Sequence, residues 1–254
     1  MTNRARRGLE AFLKRKAAVP SEDASTLTLR DGRALTLRIR RHPTARRLTL
    51  RLAPDGSEAR VSIPRWAPFG EGRAFATSRI DWLTAQLAKV PQPEVIGAGS
   101  ALSFRGRELV VTWRADLPRS PAIVGDALQL GGPADNVSRR VQRWLEGEAI
   151  ALMRADLAYY CDAAGVAAPD IRLSRAQRRW GSCSTSGTIR VNWRLVMAPD
   201  HVRRSVVAHE VAHLAHFDHS PAFHAFLASI YEHDIGAADR WLKRHGRSLH
   251  APFG

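Results

Sequence analysis

An α+β fold with a β-rich N-terminal part is predicted by three features of this sequence. Apolar segments of period two, parted by Asp-Gly and Pro-Asp-Gly turns, occupy much of residues 26–63. Segments with apolar residues at helical spacing dominate after Gly131-Gly132-Pro133. At 254 residues, 44% hydrophobic and 25% charged, the chain is long enough to bury a core without crosslinks, which excludes a disordered tail or a disulfide-dependent miniprotein. No apolar run reaches the length of a membrane span, so no membrane partner is expected.

The elements follow in order. Strands at Thr26–Arg30 and Arg33–Arg40 flank Asp31-Gly32, a strong hairpin signal. Leu48–Leu52 alternates, and Pro54-Asp55-Gly56 turns the chain towards Ala59–Ile63. Phe75, Trp82, Leu83 and Leu87 suggest one helix over Phe69–Val90, stopped by Pro91 and Pro93. Short strands are expected at Ala101–Phe104, Glu108–Trp113 and Ala127–Leu130. Beyond the Gly-Gly-Pro break, Val137, Val141, Trp144, Leu145, Leu152 and Met153 mark a long helix over 134–164. Strands at Ile171–Leu173 and Thr188–Leu195 precede a helix over Pro199–Phe217, and two shorter helices are expected near Pro221–Tyr231 and Gly236–Arg244. The domain reading is a basic arm at 1–24, a β-rich region at 25–133 and a third region at 134–254.

The chain carries 39 Lys and Arg against 24 Asp and Glu, a net charge of +15. Residues 1–60 hold 15 basic and 6 acidic side chains, which reads as attraction to a polyanion such as nucleic acid. A plainer account competes with it. Only four of the basic residues are Lys, a bias that a GC-rich genome produces alone, and the arginines alternate with apolar residues as on a solvated strand face. The N-terminus lacks the apolar segment of a secretory signal, and Glu10, Glu22 and Asp23 argue against an organelle presequence. A cytoplasmic protein with Cys161 and Cys183 reduced is expected.

His209-Glu210-Val211-Ala212-His213 is the segment that carries chemistry. On a helix the two imidazoles four residues apart share a face and can bind one Zn²⁺, and Glu210 can take a proton from bound water. Chance supplies this pattern about 0.015 times in a chain of such composition. Val206, Val207, Val211 and Leu214 make the helix otherwise apolar, and seven of the ten His lie between 201 and 233. For a third ligand the spacing leaves His219, His216 and Glu232 open. Tyr231 and His233 are candidate oxyanion donors. Cys183, beside a turn glycine, reads as a small buried thiol rather than a ligand or nucleophile.

Trp180-Gly-Ser-Cys-Ser184, Gly187 to Leu195, Ala198-Pro199, His209 to Leu214 and His219-Ser-Pro-Ala-Phe223 run in one order. That series resembles the YgjP-like branch of the SprT-related zinc metallopeptidases, most densely over 175–245. The resemblance implies a zincin-like metallopeptidase domain in the C-terminal region, with Zn²⁺ on His209, His213 and His219 and with Glu210 as general base. It implies a peptide or protein substrate, and a DNA-associated protease is a variant of that reading. In zincins a sheet edge beside the metal pairs with an extended peptide, a role expected here for Thr188–Leu195, flanked by Arg175, Arg178, Arg179, Arg190 and Arg194. Two alternatives stand beside the peptidase. A metal-dependent nucleotide phosphohydrolase suits the arginines, although no phosphate-cradling glycine loop is present. A nucleic-acid-binding protein with a structural zinc would close the site with a fourth protein ligand.

Overall fold

The computed structural model describes residues 21–53, 55–90 and 94–253; most of the expected basic arm lies outside them. Two compact units divide at Lys89 and Val90.

The first unit is a four-stranded sheet with two helices. Strands β1 (Glu22–Thr28), β2 (Ala34–Arg41), β3 (Thr49–Leu52) and β4 (Glu58–Ile63) lie in the order β1-β2-β4-β3. β1 therefore begins within the segment expected as arm. Between β1 and β2, Gly32 takes φ +80 and donates its N–H to the Leu29 carbonyl, the left-handed turn that Asp31-Gly32 announces. Leu35, Leu37, Ile39, Val61 and Ile63 are buried on one face. Arg38, Arg60 and Arg51 stand in register across β2, β4 and β3 on the other. Glu58 bonds both Arg38 and Arg60, which relieves the repulsion of like charges side by side. The single helix expected over Phe69–Val90 is two, α1 (Phe69–Thr77) and α2 (Ile80–Leu87). The Ser78 hydroxyl donates to the Phe75 carbonyl and Arg79 leaves helical geometry at φ −113, so the chain turns there.

The second unit begins with β5 (Ala101–Phe104), β6 (Arg107–Trp113), β7 (Ala122–Val124) and β8 (Ala127–Leu130), ordered β5-β6-β8-β7. Helix α3 (Val137–Ala164) ends at Gly165, whose φ of +66 supplies the left-handed cap. A small sheet follows, β9 (Ile171–Ser174), β10 (Gly181–Cys183) and β11 (Ile189–Asn192), then α4 (Asp200–Ala215), α5 (Pro221–Ile230) and α6 (Ile235–His245). The Gly131-Gly132-Pro133 segment lies inside this unit. Leu128 and Leu130 of β8 join Val141, Leu145 and Met153 of α3 and Val207 and Val211 of α4 in one buried cluster. Among the described residues no helix is long and apolar enough to cross a membrane.

One expectation is corrected here. The small sheet has the order β10-β11-β9, so β11, within the predicted strand Thr188–Leu195, is central and has no free edge. Ile189-Arg190-Val191-Asn192 alternates apolar and polar residues, which announces the faces of a strand and not its place in the sheet order. The edges are β9 and β10, and β10, the one against Glu210, is too short to announce itself by period.

Helix α4 is fixed by charge as well as by apolar contact. Arg203, with 3% of its side chain exposed, donates from Nε to Asp156 Oδ2 of α3 at 2.7 Å and also pairs with Asp200. Asp200 is in turn bonded at 3.0 Å by Arg105, in the β5–β6 turn. Removing one partner would strand a buried charge. Asp156→Ala is expected to lower unfolding free energy by about 3–5 kcal/mol, measured by urea denaturation, whereas Arg30→Ala, which breaks an exposed pair with Asp81, should change it by less than about 1 kcal/mol.

Candidate metal centre

The apolar residues of α4 set its orientation. Val202, Val206, Val207, Ala208, Val211 and Ala212 are all buried, which leaves His209 and His213 half-buried at one rim. The helix stops at Ala215. His216 is extended at φ −134, and the turn through Asp218 leads into α5, where Ser220 accepts the Phe223 N–H and Pro221 opens the helix. That short excursion returns His219 to the α4 imidazoles.

One ring nitrogen from each of His209, His213 and His219 lies within 4.8 Å of the other two. The His209 and His219 Nε2 atoms are 3.2 Å apart. Phe223, fully buried at the start of α5, backs all three imidazoles, with ring centroids 5.0, 4.7 and 4.9 Å away. His213 donates from Nδ1 to the His216 carbonyl at 3.0 Å, which leaves its Nε2 lone pair for a metal. Burial, then the neighbouring His213 and His219, push His209 down to about 4, so its imidazole is neutral and able to coordinate. Three imidazoles converging this closely are a donor set suited to zinc.

Glu210, one position along from His209, is directed towards β10. It is 5% exposed, and burial raises its carboxyl to about 7; Arg179 and the Cys183 backbone N–H act against that rise. A divalent cation among the imidazoles would draw it down further. Gly181 makes the approach possible: a Cβ there would lie 2.8 Å from Glu210 Cγ and Cδ, and closer still to Oε1. A cavity of about 240 Å³ opens beside Glu210 and His209, bounded by Trp180 and Gly181 on one side and by Ile235, Asp239 and Leu242 of α6 on the other.

The remaining sequence candidates lie elsewhere. The His216 imidazole faces Phe226, and only its carbonyl serves the site. Glu232 accepts from Tyr160 and pairs with Arg204. The Tyr231 hydroxyl proton is committed to the His201 carbonyl at 2.7 Å. His233 sits beside Glu232. The Cys183 thiol is outside the ligand group, its ionisation suppressed by burial and by Glu210. Arg194, expected to flank an open edge, is buried over the Trp193 ring. Sequence reasoning missed Gly181, Phe223 and Asp239. Trp180-Gly-Ser-Cys183 did stand out, but for its thiol, whereas its glycine and a backbone N–H are what meet Glu210.

Gly181→Val is expected to push the Glu210 carboxylate off the Cys183 N–H. Hydrogen exchange at that amide should accelerate by roughly 10-fold or more while the zinc affinity of the three imidazoles stays within about 3-fold of wild type.

The crystal structure of the metallopeptidase zymogen of Pyrococcus abyssi abylysin is similar to 37% of this chain and 96% of its own, at 20% identity and a TM-score of 0.34. No curated protein matches. Residues 46–245 match the family described as YgjP-like, metallopeptidase domain, a span that takes in both sides of the metal centre. The chain belongs to the YgjP-like metallopeptidase family.

Proposed function

We propose that this protein is a zinc-dependent peptidase in which His209, His213 and His219 hold the ion and Glu210 is the general base. The observation that carries the reading is the pairing of a convergent imidazole triad with a buried carboxylate from the adjacent helical position. Zinc in such a site polarises a substrate carbonyl and acidifies water. Only the three imidazoles form the ligand group among the described residues, which suits a site with an open coordination position and disfavours a closed structural one.

In this reading Glu210 takes a proton from the attacking water and returns it to the leaving amine. Its burial keeps bulk water from competing for the carboxylate. The Cys183 N–H steadies the carboxylate. Substrate binding is assigned to the edge of β10. Trp180 accepts from Asn192 and Ser184 donates to Thr188, so the even-numbered residues of this strand face β11. By the antiparallel alternation, Gly181 and Cys183 turn their backbone groups outwards; the Cys183 N–H is taken by Glu210, which leaves the Gly181 N–H and the two carbonyls to face a peptide. An extended peptide added there would run alongside Glu210, with its scissile carbonyl near the imidazoles. The free thiols of Cys161 and Cys183 suit a cytoplasmic setting.

Elemental analysis and peptide turnover together test this. Wild type should hold about one zinc per chain. His213→Ala and His219→Ala should lose it, and Glu232→Ala should keep it. Glu210→Gln should keep zinc and lose turnover by about 10³-fold or more. Full activity in a folded, zinc-loaded Glu210→Gln protein would overturn the role of the carboxylate.

A further inference from the structure

The cavity beside His209 and Glu210 has walls and polar groups of opposite character. Trp180, Val206, Ile235 and Leu242 supply apolar surface, and its 240 Å³ matches one long side chain better than a free small-molecule ligand. Trp180 is held from behind by the His250 ring, 5.1 Å away, and by Gly246, where a Cβ would come within 3.0 Å of the indole. The wall is therefore firm.

The polar groups are chiefly acceptors. Ser205 donates its hydroxyl proton to the Val202 carbonyl of its own helix at 2.8 Å, leaving only lone pairs for a guest. Glu210 is one carboxyl in the lining and Asp239 is another, near enough to His209 to act on it electrostatically. Asp239 has one ion-pair partner among the described residues, Lys243 one turn along α6. That contact is long, at 3.8 Å, and both side chains are largely exposed. Such a pair yields readily to a bound cation. An acidic guest side chain would meet two carboxyls there.

Resting on the peptidase reading above, we propose that this cavity receives the side chain of a Lys or Arg residue next to the cleaved bond, with Asp239 as the specificity-determining residue. The aliphatic stem lies against Trp180 and Leu242 and the charged tip meets Asp239. The recognised partner is thus a basic peptide segment in extended form.

The test uses full-length, zinc-loaded Glu210→Gln protein and labelled hexapeptides Ala-Ala-Gly-X-Ala-Ala, with binding read by fluorescence anisotropy and with no turnover needed. Peptides with X = Arg or Lys should bind about 5-fold more tightly than X = Leu, and X = Glu should bind weakest. Asp239→Asn in the same background should abolish the preference for Arg over Leu, and Asp239→Arg should turn it towards Glu. Equal binding of the Arg and Leu peptides, no binding of any of the four, or an Arg preference that survives Asp239→Asn would overturn the assignment. Selective binding of the Arg peptide without its cleavage by wild type would overturn the peptidase reading and leave the pocket standing.

Discussion

Helix α4 must be buried on most of its circumference and still present polar chemistry from two adjacent turns. Both demands fall on the same sixteen residues, and the rest of the second unit is arranged around them. Its valines fill the space between α3 and the small sheet, so the helix cannot rotate without exposing them. Arg203, on the same stripe as Val207 and Val211, fixes it against α3 through Asp156. With rotation and translation both blocked, His209 and His213 have one available direction. Glu210, one position along, is carried into the interior, where a carboxylate is tolerated because β10 approaches it with a glycine and a backbone donor.

This division of labour explains which parts were legible in the sequence. The helix-borne pair His209 and His213, with Glu210 between them, is a local pattern, and local geometry is all that brings it together. The long helix over 134–164 was legible for the same reason. His219 is different: it depends on where the chain goes after Ala215, and spacing left His216 and Glu232 equally open. The resemblance to a known family selected it, and the fold brings it beside the α4 imidazoles. Contacts across the chain left little local trace. Gly181 meets Glu210 over a separation of 29 residues, and Asp239 reaches the cavity from α6. The edge position of β10 follows from sheet order, which period-two alternation does not encode.

The positive charge also resolves into structure. In the first unit Arg38, Arg60 and Arg51 form a row on one face of a sheet with Glu58 interposed. On the second unit, Arg203 and Arg194 are buried, one in a salt bridge and one over an indole. Arginine therefore serves at least three purposes here: solvation of a strand face, attachment of a helix, and filling of a core. A net charge is a sum over such uses and identifies none of them.

The three imidazoles are held unequally. His209 and His213 ride on a helix locked into the core, and Phe223 closes the space behind them, while His219 sits exposed on a five-residue excursion between α4 and α5. Any ion held there would therefore meet solvent at His219, the one exposed imidazole of the three. Residence time would be governed by the swing of that excursion, and the tightness of its two helical ends, the His216 turn and the Ser220 cap, would act as the clock for metal exchange.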